Sequence, residues 1–173
     1  MLIGMKRHGF TIVELIVIIT VMGILLVLGV VNLSGAQASA RDAERKTDVE
    51  TIATHLENYY KSGTDGSTSI GQYPSVDPTN SLIGHETTFL RDVDIDSLST
   101  PGDESSSLVT ATNNTQTVGG VAPQPTIAQY VYQPIATDGS LCDNVSTKEC
   151  RKFNLYYRLE ADSTVYKIMS RNQ

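Results

Sequence analysis

The strongest constraint on the fold is an apolar run near the N-terminus. Seventeen residues from Leu15 to Val31 include one polar side chain, that of Thr20. With Ile12 and Val13 in front, the run reaches the length that a helix needs to cross a bilayer, roughly 20 residues. One carboxylate, Glu14, lies just inside its start, although a charge at the bilayer centre costs roughly 2.5–3.5 kcal/mol. The run predicts a membrane-spanning helix, and the presence of Glu14 requires an explanation.

The charges outside the run predict its orientation. Lys6 and Arg7 precede it, so the positive-inside rule places the N-terminus in the cytoplasm and the rest of the chain outside. The chain has 13 basic and 19 acidic residues, a net charge of −6. Removal of a leader ending at Gly9 would take both basic residues and leave −8. Such an acidic chain lacks the basic footprint of nucleic-acid binding, so we expect no direct nucleic-acid site.

The helical pattern continues beyond the apolar run as far as Gly63, and its second half is amphipathic. Apolar side chains recur three and four residues apart at Val49, Ile52, Ala53, Leu56, Tyr59 and Tyr60. The opposite face is expected to carry Asp48, Glu50, Thr51 and Glu57.

Strand patterns appear only towards the C-terminus. Residues 63–127 are rich in small polar residues and predict mostly loops, whereas "AQYVYQPI", "KFNLYYRLE" and "TVYKIMS" are β-branched, aromatic or alternating. The short "ADS" between the last two runs predicts a hairpin. The fold class is therefore α+β, with a long N-terminal helix packed through residues 45–60 on a small antiparallel C-terminal sheet.

The start of the apolar run carries a specific motif. Thr11 and Glu14 have the spacing of a helix capping box, and Gly9-Phe10 immediately precedes them behind the short basic leader. In this combination, residues 6–31 resemble the signal of type IV prepilins. The long amphipathic helix, the "GQYPS" that follows it and the C-terminal sheet resemble pilins and pseudopilins more loosely.

The resemblance implies roles for individual residues. A dedicated peptidase would cut between Gly9 and Phe10, and the new N-terminal residue, Phe10, would be N-methylated. Glu14 would set the stacking register of subunits through the amine of a neighbour. Gly23 matches a glycine near which many pilin helices melt in the filament. Many members have a helix-breaking proline where this chain has Val31, so the extent of melting is left open.

The resemblance also implies an organisation and a function. Residues 1–9 would be the leader, 10–31 the transmembrane or filament-core half of the helix, 32–62 its amphipathic half and 63–173 the globular head. The expected function is a structural subunit of a type IV pilus for adhesion, motility or DNA uptake, or else of a type II secretion pseudopilus. Its partners would be membrane lipid, prepilin peptidase, the assembly machinery and other copies of itself, in an extracellular or periplasmic filament.

A different export signal is also present. Ala36-Gln37-Ala38 and Ala38-Ser39-Ala40 fit the small-residue cleavage pattern of an ordinary signal peptide, which would yield a soluble secreted binding domain. The apolar run is longer than the usual 7–15 residues of such signals and has an acid at its start, which disfavours this alternative.

Two cysteines, Cys142 and Cys150, lie far beyond the apolar run. An even number of cysteines in a domain outside the cytoplasm favours a disulfide over two free thiols. A bond here would close a loop of nine residues, which the chain-entropy estimate values at about 2.5 kcal/mol.

The sequence gives only a weak indication of a cofactor. Asp92, Asp94 and Asp96 alternate with Val93 and Ile95, which predicts a solvated acidic face and leaves calcium as a minor alternative. An EF-hand would need Gly and Glu at positions where this chain has Ser97 and Asp103. No G-x-S-x-G nucleophile motif occurs, so we expect a structural protein and not an enzyme.

Overall fold

The computed structural model describes residues 9–62, 70–76, 90, 92–102, 107–143 and 149–172. Its elements in chain order are helix α1 (Ile12–Ser62), the single-turn helix α2 (Ile95–Leu98) and strands β1 (Leu108–Thr110), β2 (Tyr130–Ala136), β3 (Cys150–Arg158) and β4 (Val165–Met169). The predicted α+β class, a long N-terminal helix followed by a small sheet, is confirmed. Residues 1–8, which include Lys6 and Arg7 and belong to the predicted leader, lie outside the described residues.

Contacts divide the chain into two compact units, Met1–Ala38 and Ser39–Gln173, which we call the N-terminal unit and the globular unit. The boundary falls within α1. In the globular unit, Val49, Ile52 and Leu56 of α1 are at most 1% exposed and share one hydrophobic cluster with Phe153 and Leu155 of β3. The predicted packing of the amphipathic helix on the sheet is therefore confirmed. Side chains three and four residues apart lie on one helix face, and for this reason their spacing identified the core residues.

The sheet has the order β1-β2-β3-β4. The β2–β3 and β3–β4 pairs are antiparallel, and the latter is the predicted hairpin. The β1–β2 pair is parallel, with Leu108 opposite Tyr130, so the sheet is mixed where a purely antiparallel one was expected. A parallel pair needs a long crossover connection, which residues 111–129 supply.

The crossover also covers the sheet face that does not contact α1. Ala111 and Val121 form a second hydrophobic cluster there with Val131 and Tyr156. Beside it, Gln133 is fully buried: its amide donates to the carbonyls of Asn113 and Thr115, and its Oε1 accepts from Asn154 and Tyr156. The connection between β1 and β2 is thus irregular and mostly exposed, but it contributes the buried side chains of Ala111 and Val121 to this face of the sheet.

Between β2 and β3 the chain is tied by the predicted disulfide. Cys142 and Cys150 are bonded, with their Cα atoms 5.6 Å apart, and both are buried. The preceding turn is closed by Gly139, whose N–H donates to the carbonyl of Ala136 at 2.9 Å and whose φ of +81° favours glycine. The disulfide prediction is confirmed.

Candidate functional site

The first turn of α1 contains the hydrogen bonds of a capping box. The Glu14 N–H donates to Thr11 Oγ1 at 3.2 Å, and the Thr11 N–H donates to Glu14 Oε2 at 3.4 Å. Both residues are exposed. The carboxylate therefore points back towards the start of the helix, where the helix dipole favours negative charge.

The residues just before the helix are open to solvent. Gly9 and Phe10 are not helical, and Phe10 is 77% exposed. A Cβ atom placed on Gly9 would have no other atom within 4 Å. Within the described chain, nothing covers the Gly9–Phe10 peptide bond.

The apolar part of α1 is exposed on every side. Side chains from Ile12 to Val30 are all exposed, and none of the most apolar part of the helix is buried against the rest of the described chain. This helix is long and apolar enough to cross a membrane, and Glu14 is the one ionisable side chain between Ile12 and Ala40. Because burial of a Leu, Ile or Val side chain is worth about 1.5–3 kcal/mol, this surface favours an apolar environment such as lipid or other apolar helices.

The backbone of α1 is helical without a break through Gly23 and Val31. Gly23 has open space where a Cβ would be, and it lies in a shallow apolar depression with Ile19, Ile24 and Val27. Melting of the helix near Gly23 concerns the assembled state and stays a prediction.

The three candidate calcium ligands are exposed, and one of them has another structural role. Asp94 is the N-cap of α2 and accepts a hydrogen bond from the Asp96 N–H at 3.2 Å. Val93 is buried, but Ile95 is 48% exposed, so the predicted alternation is wrong because the chain forms a helical turn here. Within the described ranges, no three His, Cys, Asp or Glu side chains are grouped as a metal site requires.

Near its start the globular unit contains an ionic cluster that the sequence did not predict. Asp42 accepts from the N–H groups of Glu160 and Ala161, just after β3, and from Arg45 at 3.0 Å. Arg45 is 3% exposed at its side chain and also donates to the Ile127 carbonyl. Arg41 forms a bidentate pair with Glu160. The cluster joins α1 to the turn between β3 and β4.

The ionisable groups of this cluster have shifted pKa values. Burial by itself raises the pKa of Asp42, but the hydrogen bonds from Glu160, Ala161 and Arg45 outweigh it, so the net pKa is lowered. The hydrogen bond from Arg41 lowers the pKa of Glu160. These carboxylates are therefore stabilised in the ionised form.

Two further acids lie on the face of α1 that was expected to be solvated. Asp48 is 7% exposed and accepts from the Tyr130 hydroxyl at 3.1 Å, and burial raises its pKa to about 6. Glu57 is 6% exposed and accepts from the Tyr73 hydroxyl and the Arg171 N–H. Both acids are held by partners that are distant in the sequence, so helical spacing alone could not identify them as buried.

Comparison with known families identifies one segment. The family model of the prokaryotic N-terminal methylation motif matches residues 4–30. No curated protein and no solved structure matches the chain. The match covers residues 4–8, Gly9, Phe10, Glu14 and most of the apolar run, and it does not extend into the globular unit.

Proposed function

We propose that this chain, whose N-terminal signal is of the class characteristic of type IV pilins and pseudopilins, is a structural subunit of a pilus-like filament. The observation that carries the proposal is the methylation motif on a helix whose apolar surface is exposed all round apart from one carboxylate. Burial of that surface requires lipid before assembly and other copies of the helix afterwards.

The first step towards a filament would be proteolytic processing of the N-terminus. Cleavage between Gly9 and Phe10 would remove the leader and create an amino group on Phe10, which is the residue expected to be methylated. The exposure of both residues favours access by a peptidase. The lack of a side chain on Gly9 lets the chain pass close to the catalytic groups of that enzyme.

Membrane insertion precedes assembly. The apolar run would span the cytoplasmic membrane with the basic leader inside, which places the globular unit outside. The disulfide between Cys142 and Cys150 supports this orientation, because disulfides persist mainly outside the cytoplasm.

In the filament, Glu14 would fix the axial offset between neighbouring subunits. Transfer of an unpaired carboxylate into packed Leu, Ile and Val side chains costs several kcal/mol, whereas a carboxylate paired with an amine is tolerated. The amine on Phe10 of an adjacent copy supplies that pair only at one axial offset. The capping hydrogen bonds to Thr11 hold Glu14 near the helix start in the single chain, where such an amine would approach.

Substitution of Glu14 tests the proposal. We expect Glu14→Leu to be inserted and cleaved but to enter filaments at least tenfold less than the wild type when it is the only subunit present. The matched control is Thr20→Leu, which removes an uncharged polar group from the same segment and should assemble normally. Filament yield is measured by shearing and sedimentation. A wild-type yield from Glu14→Leu would contradict the register role.

Substitution of Gly9 tests the processing step separately. We expect Gly9→Val to accumulate as an unprocessed precursor in the membrane fraction, because the added side chain obstructs the peptidase. Gel mobility and N-terminal sequencing measure the conversion. Normal conversion to a chain that begins at Phe10 would refute the assigned cleavage point.

The same motif occurs in pilins and in pseudopilins, so the choice between a surface pilus and a secretion pseudopilus needs a different experiment. Electron microscopy with an antibody against the globular unit distinguishes them. Long labelled surface filaments at native expression support the pilus, and their absence together with a secretion defect in a deletion strain supports the pseudopilus.

A further inference from the structure

The stretch from Ser34 to Ala40 separates the apolar run from the packed part of the globular unit. Its side chains are small or polar and exposed, apart from Ala38, which is half-buried. The first buried side chain of the globular unit is that of Asp42. The pattern Ala36-Gln37-Ala38 lies in this stretch, and the bond that follows it joins Ala38 to Ser39.

We infer that the Ala38–Ser39 bond is a second proteolytic site. Its enzyme would be a membrane-bound peptidase that requires small residues at the first and third positions before the cut, which are Ala38 and Ala36. The reaction is hydrolysis: water adds across the amide, leaving a carboxylate on Ala38 and an amino group on Ser39. A fraction of the subunits would then release the globular unit as a soluble form.

The position of the bond relative to the membrane supports this inference. A helix rises 1.5 Å per residue, so Ala38 lies about 39 Å along the axis from Ile12, whereas the hydrocarbon core is about 30 Å thick. If the span begins at Ile12, the bond lies about 9 Å beyond the hydrocarbon edge, in the headgroup layer. A peptidase anchored in the same membrane acts at this depth.

The segment is also easier to open than the packed part of the helix from Asp42 onwards. Peptidases bind extended substrate, so the helix must unwind locally. Between Ser34 and Ala40 no side chain is fully buried, and Gly35 and the two serines are weaker helix formers than alanine. Local unfolding costs least where few apolar contacts are lost.

The cleavage product would keep a well-formed helix start. Ser39 is one of the best residue types for a helix N-cap, and Asp42 lies three residues later, where a negative charge suits the helix dipole. The ionic cluster of Asp42 and Arg45 and the disulfide remain entirely within the product. A cut after Ala40 would lack this cap, so the structure favours Ser39 as the new first residue.

The test uses the full chain expressed in a bacterial envelope, with filaments removed from the medium by ultracentrifugation. We expect a soluble fragment that begins at Ser39 and whose mass is two hydrogens below the reduced value, because the disulfide is intact. Ala38→Leu should lower the amount of this fragment at least tenfold. Ala40→Leu, the same substitution two residues later, should leave it unchanged.

The second cut requires membrane insertion but not filament assembly, so this inference and the proposed filament function can fail separately. Gly9→Val should still release the Ser39 fragment, because the second bond is intact. The absence of a wild-type fragment, a fragment that begins at Arg41, or an undiminished fragment from Ala38→Leu would each overturn the assignment.

Discussion

The two stretches of α1, residues 12–30 in the N-terminal unit and residues 42–60 in the globular unit, share a backbone conformation but differ in their surroundings. The first is apolar on every side and fully exposed, with one carboxylate near its start. The second has a buried apolar face and, on the flanks of that face, buried acids that are hydrogen-bonded to the rest of the globular unit.

This difference shows that the two stretches gain their stability in different ways. Side chains in the second stretch have specific partners in the same chain, so each substitution there should change the free energy of unfolding. Side chains in the first have no such buried contacts and need only an apolar environment, so a conservative substitution there should leave the globular unit unaffected. All eight tyrosines lie after residue 58 and the chain has no tryptophan, so the tyrosine signal in near-UV circular dichroism of the full chain in detergent micelles reports on the globular unit alone.

The largest effect is expected from Asp42→Ala in the ionic cluster. The substitution removes the acceptor for two backbone N–H groups and leaves the buried guanidinium of Arg45 with fewer partners. Loss of one partner from a buried charge pair costs about 3–5 kcal/mol. Urea unfolding followed by the tyrosine signal measures this loss. Glu44→Ala, which removes an exposed carboxylate two residues away, should cost less than about 0.5 kcal/mol, and a similar effect of both substitutions would contradict the role of the cluster.

A smaller effect is expected from Leu56→Ala, paired with Leu25→Ala. Leu56 is 1% exposed and lies in the main core, so its truncation should destabilise the globular unit by about 2–4 kcal/mol. Leu25 is 62% exposed, and its truncation should shift the same unfolding curve by less than about 0.5 kcal/mol. Equal shifts for the two variants would contradict the difference in packing between residues 12–30 and residues 42–60.

The sequence predicted the features that depend on local periodicity. The helix, its core face at Val49, Ile52 and Leu56, the final hairpin and the disulfide follow from spacing, turn residues and cysteine number, and the structure contains each of them. At the N-terminus, the spacing of Thr11 and Glu14 identified the capping box before its hydrogen bonds were seen.

The features that it did not predict depend on long-range contacts. The parallel β1–β2 pair exists because residues 111–129 return across the sheet, and three-residue strands carry almost no periodic signal. Asp42, Asp48 and Glu57 are polar residues at helical positions that local rules assign to solvent. Their burial depends on partners 16 to 118 residues away, such as Tyr73, Tyr130 and Glu160.

The smallest effect, and the one with a pH signature, is expected from Asp48→Asn. Burial raises the pKa of Asp48 to about 6 from the unfolded value of about 3.9, with the Tyr130 hydroxyl and Arg45 lowering it and Glu44 and Asp96 raising it. Between these two pKa values the folded state binds more protons than the unfolded state, so the stability contributed by Asp48 falls as pH rises from about 4 to about 6.

Asparagine stays neutral at every pH, and its Oδ1 can still accept from the Tyr130 hydroxyl. Asp48→Asn should therefore match the wild type near pH 4 and exceed it by about 1–2 kcal/mol at pH 7.5, with the difference developing between those values. Urea titrations at intervals of half a pH unit measure this difference directly, because the opposite contributions of Asp42 and Glu160, whose pKa values are lowered, are common to both proteins and cancel. Glu50→Gln is the charge control, since it removes an exposed carboxylate from the adjoining turn and should change stability by less than about 0.5 kcal/mol. A variant that is less stable than the wild type at pH 7.5 would contradict this prediction, because it would mean that ionised Asp48 stabilises the contact between α1 and β2 through its hydrogen bond with Tyr130.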